Sequence, residues 1–246
     1  MKSTLNTNNI VVITGAGISV ESGIQPFRGK NGVWEENPME MATFNKFFNE
    51  PIAFLTWYYH RFVSCRHALP NTAHEILADK GVRLITQNID GLHLKANHPT
   101  DKLIEIHGCL HQKRRVDSTT REEIIEANWD MVDESNIEDS LLNLFKIERP
   151  NIIYEHSFRP HVLLFDEYYT ELYETEKAMQ WVLEADTIIF IGTSNSVGIT
   201  EGILKTSLNK GKKIIVVDPN PAASFRINGV EIIESTAIEF CKEYFL

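Results

Sequence analysis

The stretch 11–34, VVITGAGISVESGIQPFRGKNGVW, decides how the rest of the chain is read. Ile10, Val11, Val12 and Ile13 form an apolar, β-branched run of the kind a buried strand needs. Gly15-Ala16-Gly17 follows at once. Glycines at a strand's end let the backbone turn sharply and come close to a ligand. A helix starting after Gly17 would present its free N–H groups to a phosphate. The dinucleotide fingerprint is incomplete, because Val20 stands where its third glycine belongs and the next glycine is Gly23. Taken alone, the stretch reads equally as a pyrophosphate cradle and as a plain tight turn.

The same strand-then-polar pattern recurs downstream. Val82–Thr86 reads as a strand running into Gln87-Asn88-Ile89-Asp90-Gly91, and Leu103–Ile106 as one ending at His107-Gly108. Thr187–Ile191 runs into Gly192-Thr193-Ser194, and Lys213–Val217 into Asp218-Pro219-Asn220. Polar residues just past a strand's carboxyl end are where open α/β sheets bind ligands, although Asn, Asp and Gly also simply make turns. Val162–Phe165 reads as a further strand after the stop at Pro160. Helices are expected from Thr72, capped by Asn71 and ended by Gly81, over 170–185, and up to Asn209. Strands alternating with helices imply an α/β chain with a Rossmann-like, doubly wound parallel sheet.

Two segments differ. In 38–66, Phe44, Phe47, Phe48, Phe54, Leu55, Tyr58 and Phe62 recur at helical spacing and read as core. Between Asp117 and Pro150, acidic residues outnumber basic ones ten to three around apolar patches such as Leu141-Leu142, after the basic Lys113-Arg114-Arg115. The division expected is a dinucleotide-binding part over 1–30, 70–108 and 158–246, with a small, mainly helical module over 31–69 and 109–157. Tyr58 and Arg61 share a helix face, which suits either a bound carboxylate or an arginine stacked on an aromatic; spacing alone favours the stack.

Composition narrows the function. The chain has 246 residues, 43% of them hydrophobic, and a net charge of −10, which disfavours a nucleic-acid partner. Three dispersed cysteines fit a reducing compartment rather than a disulfide framework. No apolar run approaches the roughly 20 residues of a membrane span, and MKSTLNTNN lacks a signal-peptide core. A cytoplasmic protein with no membrane partner is expected.

Taken together, the motifs resemble the sirtuin (Sir2) family of NAD-dependent protein deacylases. The resemblance rests on Gly15-Ala16-Gly17-Ile18-Ser19, Glu21-Ser22-Gly23-Ile24, Phe27-Arg28, Gly32-Val33-Trp34, Gln87–His93, His107-Gly108, Arg159-Pro160-His161-Val162, Phe165 with Glu167, and Gly192-Thr193-Ser194. It covers most of the chain outside 109–157. It implies NAD as cofactor, with Gly15, Ala16 and Gly17 on the pyrophosphate and Ser19, Phe27, Arg28 and Trp34 also on the cofactor. Gln87, Asn88 and Asp90 would hold the nicotinamide ribose, Asn88 and Asp90 counting with His107 as catalytic. His107 would be the base, and Gly192, Thr193, Ser194, Asn220 and Ala237 would line the adenosine side. An acyl-lysine protein or peptide would be the substrate, met by Val162 and Phe165. Tyr58 and Arg61 match the Tyr-x-x-Arg pair of the members that remove succinyl and malonyl groups.

The chain also departs from the family. Two Cys-x-x-Cys pairs usually hold a zinc; here only Cys109 falls in that region. Cys109, His111, His156 and His161 have irregular spacing, so no metal is expected and helical packing over 117–150 takes its place. Asp166 replaces the usual glycine between Phe165 and Glu167, beside the strand that pairs with substrate. An ADP-ribosyltransferase or NAD hydrolase on the same fold is therefore a second reading. A non-catalytic NAD or ADP-ribose sensor is a third, disfavoured because a sensor needs no general base.

Overall fold

A computed structural model of the chain describes residues 9–25, 38–148 and 152–246. Its strands are β1 (Ile10–Thr14), β2 (Arg83–Thr86), β3 (Leu103–Glu105), β4 (Gly108–Arg115), β5 (Ile125–Glu126), β6 (Phe158–Val162), β7 (Thr187–Ile191), β8 (Lys213–Val217) and β9 (Val230–Ile233). Its α-helices are α1 (Pro38–Met41), α2 (Phe44–Asn49), α3 (Pro51–Cys65), α4 (Thr72–Lys80), α5 (Leu92–Lys95), α6 (Ile137–Leu144), α7 (Thr175–Glu184), α8 (Gly198–Asn209) and α9 (Ala237–Phe245).

Six strands form one sheet in the order β3-β2-β1-β7-β8-β9, with every neighbouring pair parallel. β1 sits at the centre because both its faces are apolar. Ile10 and Val12 pack with residues of α4 and α9, whereas Val11 and Ile13 pack with residues of α7 and α8. Side chains alternate across a strand, so an unbroken apolar run needs cover on both faces. The strand order reverses between β1 and β7. The crevice at their carboxyl ends is the place where a doubly wound sheet takes its ligand.

Asn71 caps α4 as the sequence suggests. Its Oδ1 accepts from the Ala73 and His74 amides, and Gly81 ends the helix at a φ of 54°. The helix expected over 170–185 starts only at Thr175, because Glu171–Tyr173 form a 3-10 turn and Glu174 has a φ of 51°.

The small module holds more than helices. Helices α3 and α6 do share one apolar core, with Phe47, Trp129 and Phe145. Alongside them lies a three-stranded antiparallel sheet, β5-β4-β6, which the sequence did not reveal. The basic cluster Lys113-Arg114-Arg115 lies in strand, and Arg114 is 5% exposed. The strand expected at Val162–Phe165 lies earlier, at Phe158–Val162, and pairs with β4 rather than with the parallel sheet. Pro160 is accommodated because β6 is an edge strand, where a missing N–H costs no ladder bond. Among the described residues no helix is long and apolar enough to cross a membrane.

Candidate active site

The glycines of the opening stretch pass directly beneath the β7 turn. Gly15 N donates to Ile191 O at 3.1 Å and Gly17 N to Gly192 O at 2.9 Å. A Cβ on Gly17 would stand 2.5 Å from Gly192 Cα, and one on Gly15 2.7 Å from Gly192 O. The segment that follows, Ala16–Ser22, is a 3-10 helix. A 3-10 helix that already includes Gly17 stands where a helix starting after Gly17 is expected, and the Gly15 and Gly17 amides are engaged by the β7 strand end. The glycines serve the crevice by removing side chains where two strand ends cross.

The loop after β2 enters the same crevice. Asn88 Nδ2 donates to Gly15 O at 3.1 Å and to Ser19 Oγ at 3.1 Å, and Ser19 Oγ donates to Asp90 Oδ2 at 2.8 Å. Asp90 Oδ1 accepts the Leu92 amide at 2.9 Å. Burial pushes the Asp90 carboxyl above the usual carboxylate range, opposed by its Leu92 and Ser19 donors. Gln87 Nε2 donates to Thr193 Oγ1 at 3.2 Å, which ties this loop to the β7 turn.

His107 follows β3. Its Nδ1 lies 2.9 Å from Gln87 O and its Nε2 2.8 Å from the Tyr169 hydroxyl. Burial pushes its pKa down to about 4, opposed by the Gln87 bond. A neutral imidazole at physiological pH is the form a general base requires. The chain next to it is fixed by Leu163 N donating to His107 O at 2.9 Å.

Ala16 lies at the 3-10 turn, Thr193 is buried at 5% exposure, and Ser194 is exposed at the β7 end. Asn220 is exposed past β8, and Ala237 opens α9 close to the same end of the sheet. Val162 is buried and Phe165 is 48% exposed, on either side of the end of β6. Phe27, Arg28 and Trp34 lie outside the described residues.

Tyr58 and Arg61 lie on α3 of the small module. Tyr58 is 2% exposed, against Phe54 and Trp57, and burial pushes its phenol above its usual range. The Arg61 guanidinium lies over the Trp57 ring at 3.9 Å.

Asp166 turns onto the start of α2. Its carboxylate accepts the Phe44 amide at 2.6 Å and the Asn45 amide at 3.0 Å, capping α2, and Phe165 N donates to Ala42 O at 3.0 Å. Cys109 and His161 are buried, while His156 is exposed; His161 stacks on Tyr173 with centroids 5.1 Å apart.

Two residues near the base escaped the sequence reading. Glu105, two positions before His107, is pushed up to about 7 by burial, with a Cys109 hydrogen bond opposing. Tyr169 lies between the strand expected at Val162–Phe165 and the helix expected from 170. No sequence signal links it to His107, since the pair meets across 62 positions.

The Sir2 family model matches residues 15–198 of this chain. An NAD-dependent deacetylase, sir2E, of Dictyostelium discoideum is 36% identical over 231 residues, covering 87% of this chain and 66% of that protein. An NAD-dependent protein deacylase of Aeropyrum pernix is 33% identical over 245 residues, covering 96% of this chain and 91% of that one. The solved structure of a Sir2 homologue in complex with ADP-ribose superposes with a TM-score of 0.79 at 28% identity, over 99% of this chain and 93% of that one. The family match spans both sides of the crevice, from Gly15 to beyond Gly192, and this chain belongs to the Sir2 family.

Proposed function

We propose that the chain is an NAD-dependent protein-lysine deacylase whose working residues are Asn88, Asp90 and His107. One observation carries the reading. Ser19, Asn88 and Asp90 are hydrogen-bonded together at the crevice between β1 and β7, and Gln87 of the same loop holds a neutral His107 by its Nδ1. The ADP-ribose of a similar Sir2 homologue and the names of the relatives support NAD as the second substrate.

The residues present fit that dinucleotide. Gly15 and Gly17 cross Gly192 backbone to backbone, which brings the carboxyl ends of β1 and β7 together at the point where the strand order reverses and a doubly wound sheet takes a dinucleotide. Asn88 and Asp90 would hold the nicotinamide ribose, while Thr193, Ser194, Asn220 and Ala237 would take the adenosine side. Bound NAD would supply an electrophilic sugar carbon with nicotinamide as its leaving group. His107 would accept a proton from a ribose hydroxyl at Nε2, and the Gln87 carbonyl would hold the resulting imidazolium in place. Free lysine, nicotinamide and O-acyl-ADP-ribose are the products of this reading.

We assign carboxylated acyl chains, succinyl or malonyl, as the preferred substrates. The support is the Tyr58–Arg61 pair on α3, a phenol and a forked cation suited to charge-assisted hydrogen bonding. We also assign the small module a metal-free core. Three cysteines cannot make a four-thiolate site, and Trp129 packs on Phe62 and Phe145 at centroid separations of 5.9 and 5.0 Å where the module needs cohesion.

A second reading has its own observation. The Phe165 amide and the Asp166 carboxylate are engaged by the segment leading into α2, on the loop where a substrate peptide would pair. That favours an NAD hydrolase or ADP-ribosyltransferase, in which water or another acceptor replaces the peptide. One assay separates the two: NAD is incubated with matched acetyl-, succinyl- and unmodified lysine peptides, and nicotinamide and free lysine are counted by mass spectrometry. Equal release, fastest with succinyl, is expected. Nicotinamide released without free lysine overturns the deacylase.

A further inference from the structure

The hydrogen bond between Tyr169 and His107 allows its protons to be assigned. A carbonyl only accepts, so the 2.9 Å contact with Gln87 O places the ring hydrogen on Nδ1. The buried imidazole is neutral and carries one hydrogen, which leaves Nε2 as a bare lone pair. The Tyr169 hydroxyl, 2.8 Å away, is therefore the donor. Its oxygen keeps lone pairs that can accept a proton from another group. The atom through which the base must work is thus already occupied by a phenol.

Tyr169 is held in that position from both sides. Upstream, Glu167 takes two hydrogen bonds from Arg159, one of them at 2.9 Å, and one from Leu164 N at 3.0 Å. Downstream, Arg121 Nη1 donates to Leu172 O at 2.8 Å, and Tyr173 stacks on His161 at an interplanar angle of 7°. The Tyr169 ring itself packs against the apolar cluster that includes Ile104 and Ile106, beside His107. A side chain anchored in this way suits a fixed participant better than a cover that must swing aside.

Building on the deacylase reading, we propose that Tyr169 and His107 act as a hydroxyl–imidazole pair, with the phenol as the group that meets the reacting hydroxyl. The substrate O–H bond breaks and its proton forms a new O–H bond on the phenol oxygen. In the same step the original phenol proton passes to Nε2. The substrate oxygen keeps the electron pair of its broken bond, the phenol ends unchanged, and His107 ends as an imidazolium with Nδ1–H still on Gln87 O. Burial pushes the Tyr169 phenol up to about 12, so it passes a proton without ionising on its own.

The test uses Tyr169→Phe, which keeps the ring and its packing. The first readout needs no ligand: ¹⁵N NMR of the His107 imidazole in the free protein. Loss of a donor to the neutral ring should shift the Nε2 resonance and raise the pH at which His107 protonates. The second readout splits the reaction. In a single turnover, with enzyme in excess over acyl peptide, the rate of free-lysine release should fall roughly 100-fold, while the rate at which nicotinamide is released stays within about twofold. An unmoved His107 resonance overturns the pair. Unchanged or faster lysine release in Tyr169→Phe also overturns it, the faster rate being the mark of a mere cap. If the wild-type protein frees no lysine from any acyl peptide, the deacylase reading fails, and with it the proton path to that substrate; the imidazole spectrum then still decides whether the pair exists.

Discussion

Gly192 and Gly17 meet backbone to backbone, with the Gly17 amide donating to the Gly192 carbonyl at 2.9 Å. Gly192 has a φ of 61°, and a Cβ there would stand 2.5 Å from Ile18 N. Gly192→Ala should therefore lose about 2–4 kcal/mol of stability from left-handed strain plus overpacking. Gly211 also has a positive φ, at 64°, but has open space around it, so Gly211→Ala should cost only about 1–2 kcal/mol. Urea denaturation midpoints of the two variants would measure the difference. Equal costs would mean that the crossing itself is not tight.

His107→Ala should abolish free-lysine release while ADP-ribose binding, read by calorimetry, is retained. Ser19→Ala makes a subtler probe. It removes one of the two donors to Asp90, whose pKa is already raised by burial, and so raises it further. If ionised Asp90 is required, activity falls as pH drops through that pKa. The acid limb of the pH–rate profile should therefore move to higher pH in Ser19→Ala; a limb that stays in place would remove Asp90 from the rate.

Arg159 is 1% exposed and is neutralised by Glu167, which also accepts Leu164 N. Glu167→Gln leaves a buried guanidinium without its counter-charge. A loss of about 3–5 kcal/mol is expected by thermal or urea unfolding. A loss below about 1 kcal/mol would show that solvent reaches the pair.

His74, His93 and His98 sit together in the interior, with His74 and His93 ring centroids 4.7 Å apart. Burial lowers all three, His74 to about 4. An unfolded histidine titrates near 6.5, so between about 6.5 and 4 the unfolded state binds more protons than the folded state. Stability is then fully present above about pH 6.5 and is lost as pH falls through that window. His74 alone should account for roughly 3 kcal/mol of that loss. Unfolding free energy measured from pH 7.5 to 4 should drop steeply, and less steeply in His74→Gln; a flat profile in the native protein would contradict the neutral cluster.

A metal-free module predicts that purified protein carries no stoichiometric zinc by elemental analysis. Its melting temperature should be unchanged by a chelator. One bound zinc together with a fall of several degrees on chelation would require ligands other than a four-thiolate set.

The pieces that were legible beforehand are those in which the chain's own pattern carries the information. The Ile10–Ile13 run announces a buried strand, because only a strand covered on both faces is apolar at every position. Asn71 and Gly81 announce the two ends of α4, because caps act within one turn. Gln87, Asn88, Asp90 and His107 could be selected because each follows a strand end. β4 was hidden behind its arginines, since no local pattern shows that Arg114 lies 3.9 Å from Glu167 in the interior. β6 was displaced by Pro160, a breaker in a central strand and harmless on an edge. Edge position is a property of the assembled sheet.

Local spacing thus settled the α/β class, the alternation of strands and helices, and the list of polar residues at strand ends. Tertiary structure decided their partners. It placed Gly17 against Gly192, turned Asp166 onto the start of α2, and set the Tyr169 hydroxyl on His107. The reason is that backbone conformation is chosen within a few residues of chain. A hydrogen bond across 62 positions forms only after the sheet and the module have packed and closed the loops between its partners.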